Sequence, residues 1–204
     1  EWERLHIPKD REFRRKLDLA QEQIDHAVAN QVPFDVVGVN TFYERDGAFR
    51  DHIATHHKWY MVSVPCDLAV WTEEPQIGMP TKRPGQRGPA YKHEQVLSTA
   101  AAIEVRDLRK TCTFEPLYVR DCERGRLIYE HAFAEVWTLR EEARVDAFGR
   151  PYTGLRAVKE LLVIRKETTG KYSYSLSNAP PTMPKQTLGQ WKANRHFVER
   201  TIQD

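Results

Sequence analysis

Residues 34–49 read FDVVGVNTFYERDGAF, and this stretch decides the fold class. Val36, Val37 and Val39 form a short run of β-branched residues, which predicts a strand buried on both faces. Asn40 ends the run, and Asp46 with Gly47 punctuates the chain before a second periodic segment. Upstream, Phe13, Leu17, Ala20, Ile24 and Val28 recur at steps of three and four, so residues 11–30 are expected to form a helix with one buried stripe. Asp10 is its expected N-cap and Pro33 its stop. Downstream, Ala48, Phe49, His52, Ile53 and His56 repeat the helical spacing, and KWYMVSV at 58–64, ended by Pro65, predicts a second buried strand. Helix, strand, helix, strand is the order of an α/β fold.

Further along, residues 75–89 (PQIGMPTKRPGQRGP) are rich in proline, glycine and basic side chains, and no carboxylate falls between Glu74 and Glu94. This predicts an exposed basic loop without a core of its own. A short helix is expected at 93–103. LYVRD, RLIYEHAFAEVW, ELLVIRK and KYSYSLS, separated by ERG and TTG, then predict an antiparallel meander. The final stretch, PKQTLGQWKANRHFVERTIQD, returns to helical spacing, with Leu188, Trp191, Arg195, Val198 and Ile202 near one face. The chain thus divides into three sections: residues 1–70 (helix, strand, helix, strand), 71–180 (basic loop and β-rich insertion) and 181–204 (final helix).

The chain has 204 residues, enough for one core of ordinary size. No apolar run is long enough to span a bilayer, and the first residues lack the order of a signal peptide, so a cytoplasmic location without membrane association is expected. Cys66, Cys112 and Cys122 are too widely spaced for a zinc or redox pair and are expected to be reduced and mostly packing residues. The net charge of +2 by itself decides nothing about nucleic acid, but residues 1–50 carry more acidic than basic side chains, which places the basic excess later in the chain.

Asn40, Thr41, Tyr43, Arg45 and Asp46 come just after the first strand, where open α/β sheets place ligands; the same residue types also suit an ordinary turn. Arg195 and Glu199 are four apart on the last helix and share a face, as surface pairs commonly do. Residues 34–49 resemble the segment that carries the second catalytic aspartate in bacterial insertion-sequence transposases of the DDE class. Phe34–Val39 correspond to that family's strand, and Tyr43, Arg45, Gly47 and Phe49 to the residues beyond its aspartate. HFVERTIQD resembles the segment of the final glutamate, in which an arginine precedes the glutamate by four, as Arg195 precedes Glu199. VPCDLAVW, the basic loop, ELLVIRK and YSLSNAP resemble the branch with a β-rich insertion before the last helix.

The resemblance implies an RNase H-like (integrase-like) domain that cuts and joins DNA at transposon terminal repeats, acting as a homodimer on paired ends, in a bacterial, nucleoid-associated setting. It also implies Mg²⁺ or Mn²⁺. Two such ions, about 4 Å apart, require anionic oxygen ligands to activate the attacking hydroxyl and stabilise the leaving one. Asn40 and Glu199 fall at metal-ligand positions, with Tyr43 and Arg195 beside them. Asn40, however, offers a neutral amide where the family has aspartate. Glu44 replaces a glycine, and EWERLHIPKD has no room for the strand that bears the first aspartate. The expectation is a C-terminal fragment that is inactive as it stands.

Other residues carry paired readings. His56 and His57 are adjacent, point about 100° apart on a helix and share no face for a metal. Trp137 could stack on a displaced base, or pack with Tyr129 and Phe133 on one strand face. Lys82, Arg83, Arg87 and Lys92 could contact DNA phosphates or simply be solvated. A non-catalytic DNA-binding remnant, and an interaction module without nucleic acid, are the rival functions.

Overall fold

The computed structural model describes residues 13–43, 46–82, 85, 87–88, 91, 93–99, 101–122, 125–146 and 148–203; for Tyr43 and residues 195–203 the backbone alone is described. It divides into two compact units, residues 1–34 and 35–204.

The first unit contributes one described helix, α1 (Lys16–Ala29). Leu17, Ala20, Ile24 and Val28 form its less exposed stripe, but Phe13 precedes the helix and is 85% exposed. Arg15 stands at the N-cap and bonds Asp18 at 2.7 Å, one turn on. Asp10 lies outside the described residues. Asn30 closes the helix by donating its side-chain amide to the His26 carbonyl at 2.7 Å.

The second unit is a mixed α/β structure built on six strands, β1 (Val36–Val39), β2 (Trp59–Val64), β7 (Glu115–Cys122), β8 (Gly125–Val145), β9 (Pro151–Lys166) and β10 (Tyr172–Ser177), in the order β1-β2-β10-β9-β8-β7. β1 and β2 are parallel, with Val39 opposite Val62, and the remaining pairs are antiparallel. The expected meander is therefore present, and its strands continue the β1–β2 sheet. β1 ends the described sheet, with Gly38 exposed, so it is not the strand buried on both faces that its valines predicted. β2 fits that description, with Tyr60, Met61, Val62 and Val64 all buried.

Alternation along the strands sends side chains to two faces. On one, Val64, Leu176, Leu162, Ile164, Ala132 and Val136 meet Val105 and Leu108 of α3 (Val105–Leu108). On the other, Met61, Leu161 and Val163 meet Leu188 of α4 (Lys185–Gln203), with Trp191 beside them. Helix α2 (Gly47–Thr55) is the crossover between β1 and β2 and buries Phe49, Arg50 and Ile53. Asp46 caps it by accepting the Phe49 N–H at 3.0 Å. Asp46→Ala is expected to destabilise the protein by about 1 kcal/mol in urea unfolding, because an N-terminal amide of α2 then loses its acceptor.

Among the described residues of 93–103 no helix forms. Those residues hold two short strands, β5 (Gln95–Val96), which pairs with β4 (Ile77–Gly78), and β6 (Ile103–Glu104), which pairs with β3 (Ala69–Val70). The apolar residues there are needed as ladder partners, and that need overrides the helical preference of the segment. Cys66 and Cys122 are exposed and only Cys112 packs against the core, so the packing role expected of the cysteines holds for one of the three. Among the described residues no helix is long and apolar enough to cross a membrane.

Candidate functional site

β1 delivers the chain to Asn40, which is exposed and whose Oδ1 accepts the Phe42 N–H at 3.0 Å. This Asx turn opens a single 3-10 turn, Thr41–Tyr43, which leads to the Asp46 cap of α2. The turn chemistry allowed by the residue types is thus what Asn40 performs, and one lone pair of its amide oxygen is already engaged. Because β1 and β2 are parallel, the exit of β2 lies at the same end of the sheet, and the exposed Asp67 comes after it in the next turn. Arg45 and Glu44 lie outside the described residues.

α4 approaches this end of the strand order from far away. Its first turn is tied to β7 by the 2.5 Å Lys185–Glu115 ion pair and by Gln186, which donates to the Tyr118 carbonyl. Its middle reaches β10, where the buried Lys192 ammonium donates to Ser175 Oγ at 2.7 Å. It also lies against β1. The helix therefore crosses the sheet from β7 toward β1, carrying the backbone of Arg195 and Glu199 toward the strand that ends at Asn40. The side chains of Tyr43, Arg195 and Glu199 are outside the described residues.

The donor chemistry described at the strand exits does not suit a pair of hard dications, which need clustered anionic oxygens. Asn40 is neutral and engaged, Asp46 is spent on the α2 cap, and Asp67 stands in a separate turn.

Of the basic cluster, Lys82 and Arg87 are exposed, while Arg83 and Lys92 lie outside the described residues. The β4–β5 ladder closes the base of this excursion. Glu94 anchors its end, accepting from Arg144 at 2.8 Å and from the Leu155 N–H at 2.7 Å. The Leu155 amide bond first, then the nearby Arg144 charge, overcomes the penalty of burial and holds the Glu94 carboxyl below its ordinary pKa. Gly154 makes this anchor possible, since a Cβ there would meet Arg144 at 2.5 Å and Glu94 at 3.0 Å. Trp137 is half-buried on β8 and exchanges two backbone hydrogen bonds with Trp71, at 2.8 and 3.0 Å. Ala132 and Val136, on the opposite parity of β8, are more deeply buried than the Tyr129–Phe133–Trp137 face.

Sequence reasoning missed the most elaborate polar assembly among the described residues, which lies between α2 and the sheet. The Glu160 side chain on β9 is fully buried and accepts from Arg50 of α2 at 3.2 Å, Arg140 of β8 at 2.9 Å, the Tyr60 hydroxyl and the Thr138 hydroxyl. Arg140 also donates to Tyr60 at 2.6 Å and pairs with Asp51, which Arg156 joins from the other side. Burial, and after it the Glu160 carboxylate, raises the Tyr60 pKa and keeps its proton in place. Burial opposes the Arg140 charge, but Glu160, Tyr60 and Asp51 outweigh it and leave that pKa raised.

No curated protein matches the sequence. A family model described as DDE superfamily endonuclease matches residues 1–126, a span that includes Asn40, the basic excursion and β7 and stops short of Trp137, Arg195 and Glu199. Since that match covers more than half of the 204 residues, and the motifs around Asn40 fall within it on an α/β sheet, the chain belongs to the DDE superfamily endonucleases.

Proposed function

We propose that this chain is the RNase H-like part of a DDE transposase, that Asn40 and Glu199 occupy two of its metal-ligand positions, and that the neutral amide at Asn40 leaves it unable to cut DNA as it stands. The family is one of transposase-like nucleases that act on DNA and generally use divalent metal ions. The observation that carries the reading is the place of Asn40: at the exit of β1, inside the matched span, with its amide oxygen engaged by Phe42. A single Asp-to-Asn change at a two-metal site removes one negative charge and one ligand oxygen, and hard dications depend on both. Tyr43 and Arg195 would then flank the scissile phosphate, and the DNA would be transposon terminal repeats, engaged by a homodimer on paired ends.

The exposed Lys82 and Arg87 favour a second reading, DNA binding without catalysis, since an anchored basic excursion can neutralise phosphates wherever the nuclease chemistry stands. Arg83 and Lys92 would extend that contact, and Trp137 would stack on a base. A nicking assay separates the two. The purified chain, incubated with Mg²⁺ and terminal-repeat DNA, is expected to leave the strands intact. Mg²⁺-dependent nicking that disappears in Glu199→Gln would overturn the inactive reading. Salt-dependent binding that survives Glu199→Gln but weakens when Lys82, Arg83 and Arg87 become Gln supports the second reading; no binding at low salt refutes it.

A further inference from the structure

α2 carries His52 and His56 four residues apart, on its last turn and at its C-cap. That spacing stacks both on one helix face, unlike the adjacent His56 and His57. Both are half-buried, and their rings meet edge to face with centroids 5.0 Å apart. One ring nitrogen from each lies within 4.8 Å of the other. His57 takes a different course: its φ of 55° turns the chain out of the helix, and it is exposed.

We propose that His52 and His56 together chelate a transition-metal ion of the zinc, copper or nickel class at the C-terminal end of α2. Each imidazole gives one nitrogen lone pair, and water fills the remaining positions. Tetrahedral zinc with Zn–N bonds of about 2.0–2.1 Å brings its two nitrogens to roughly 3.3 Å, a contraction that side-chain rotation on a fixed helix supplies. Both ligands come from one packed element, held by the buried Phe49, Arg50 and Ile53, so binding orders no loop.

Ligand type and position separate this ion from the magnesium of a DDE nuclease. Imidazole selects zinc, copper or nickel, whereas Mg²⁺ takes oxygen. α2 starts beside the Asn40 turn and, as the crossover between the parallel β1 and β2, runs back against β2 and β8 for roughly 13 Å at 1.5 Å per residue, so its C-terminus lies toward the other end of the strands. The inference therefore stands independently of the transposase reading.

Calorimetric titration of the chelator-stripped, full chain with Zn²⁺ tests it. One saturable site is expected, unaffected by millimolar Mg²⁺ and accompanied by a higher midpoint of thermal unfolding. His52→Gln and His56→Gln should each weaken binding at least tenfold, while His57→Gln leaves it unchanged. ¹⁵N-detected imidazole shifts of the unmutated chain supply a readout independent of any variant's folding, with two histidines moving together on Zn²⁺ addition. The absence of a saturable site, equal sensitivity to His57→Gln, or imidazole shifts at neither His52 nor His56 would overturn the proposal.

Discussion

Glu160→Ala is expected to lower the unfolding free energy by about 3–5 kcal/mol, the range for removing one partner of a buried ion pair. The carboxylate is the shared acceptor for Arg50, Arg140, Tyr60 and Thr138, and the Glu160 and Arg140 side chains are 0% and 2% exposed. Its loss strands two buried guanidinium groups in a space that already leaves Arg50 Nε and Arg140 Nε without acceptors among the described residues. For a chain of this size each kcal/mol moves the midpoint by a few degrees, so the thermal transition should fall on the order of 10 °C. Arg140→Met should cost less, because Glu160 then keeps Arg50 and both hydroxyls, and Asp51 keeps Arg156. Glu160→Gln should recover part of the loss, since it keeps an acceptor while leaving the cations uncompensated. Urea unfolding of the three variants checks the ranking. A Glu160→Ala protein within 1 kcal/mol of the parent would show that the network is dispensable.

The consequence reaches beyond stability. Arg50 and Asp51 are the α2 ends of this network, and the same helix begins at the Asp46 cap, just after the Asn40 turn. Glu160 therefore fixes the helix next to the candidate site, although it lies far from Asn40 in sequence and outside the matched span.

Much of this was legible in the chain. The valines of β1, the β2 run and the meander segments gave strands where they were expected, because each has β-branched residues bounded by turn formers. The turn at Asp146 is also a matter of residue type: its carboxylate accepts the N–H groups of Phe148 and Arg150, both at 2.8 Å, and Gly149 takes a φ of 76°. Edge position was not legible. It depends on which strands pair at long range, and local pattern carries no such information, so β1 reads as a central strand while lying at the end of the described sheet. Gln95–Val96 failed for the same reason, since its ladder partner lies across the basic excursion.

The buried network was half visible. Glu160, Leu162 and Ile164 share a parity on β9, so the glutamate had to face the same way as the two apolar residues. Such a carboxylate needs cationic partners, and Arg140 has the matching parity with Val136 and Thr138 on β8. Arg50 could not be identified this way, because a helix places charges on all sides until its packing is known. His52 and His56 stood at recognisable spacing, four apart on one helix face, whereas the adjacent His56 and His57 share no face.

Acidification from pH 7 to pH 5 is expected to weaken the fold by about 2 kcal/mol through His131 alone, and by about 3 kcal/mol in full once the pH lies below 4. This histidine is fully buried on β8 beneath α4, close enough that a Cβ on Gly189 would lie 3.5 Å from its ring. Nδ1 faces the Tyr129 carbonyl at 3.1 Å and so carries the proton, while the buried Nε2 has no hydrogen-bond partner among the described residues. Burial, reinforced by the Lys192 and Arg165 charges and opposed by the Tyr129 carbonyl, lowers its pKa to about 4. The unfolded chain binds this proton near pH 6.5 and the folded chain resists it until about 4. Stability contributed by the neutral ring is thus whole above that window, falls as pH drops through it, and is lost below it. Carboxylates titrate in the same range, so the comparison must be a double difference: urea unfolding of the parent and of His131→Leu at pH 7 and pH 5. The variant, which cannot take up the proton, should lose about 2 kcal/mol less than the parent over that interval. Hydrogen exchange should locate the acid-sensitive opening in α4, the helix that carries Glu199 toward β1. Equal pH dependence in the two proteins would mean that His131 is protonated as easily in the folded chain as in the unfolded one, and that α4 does not hold it neutral.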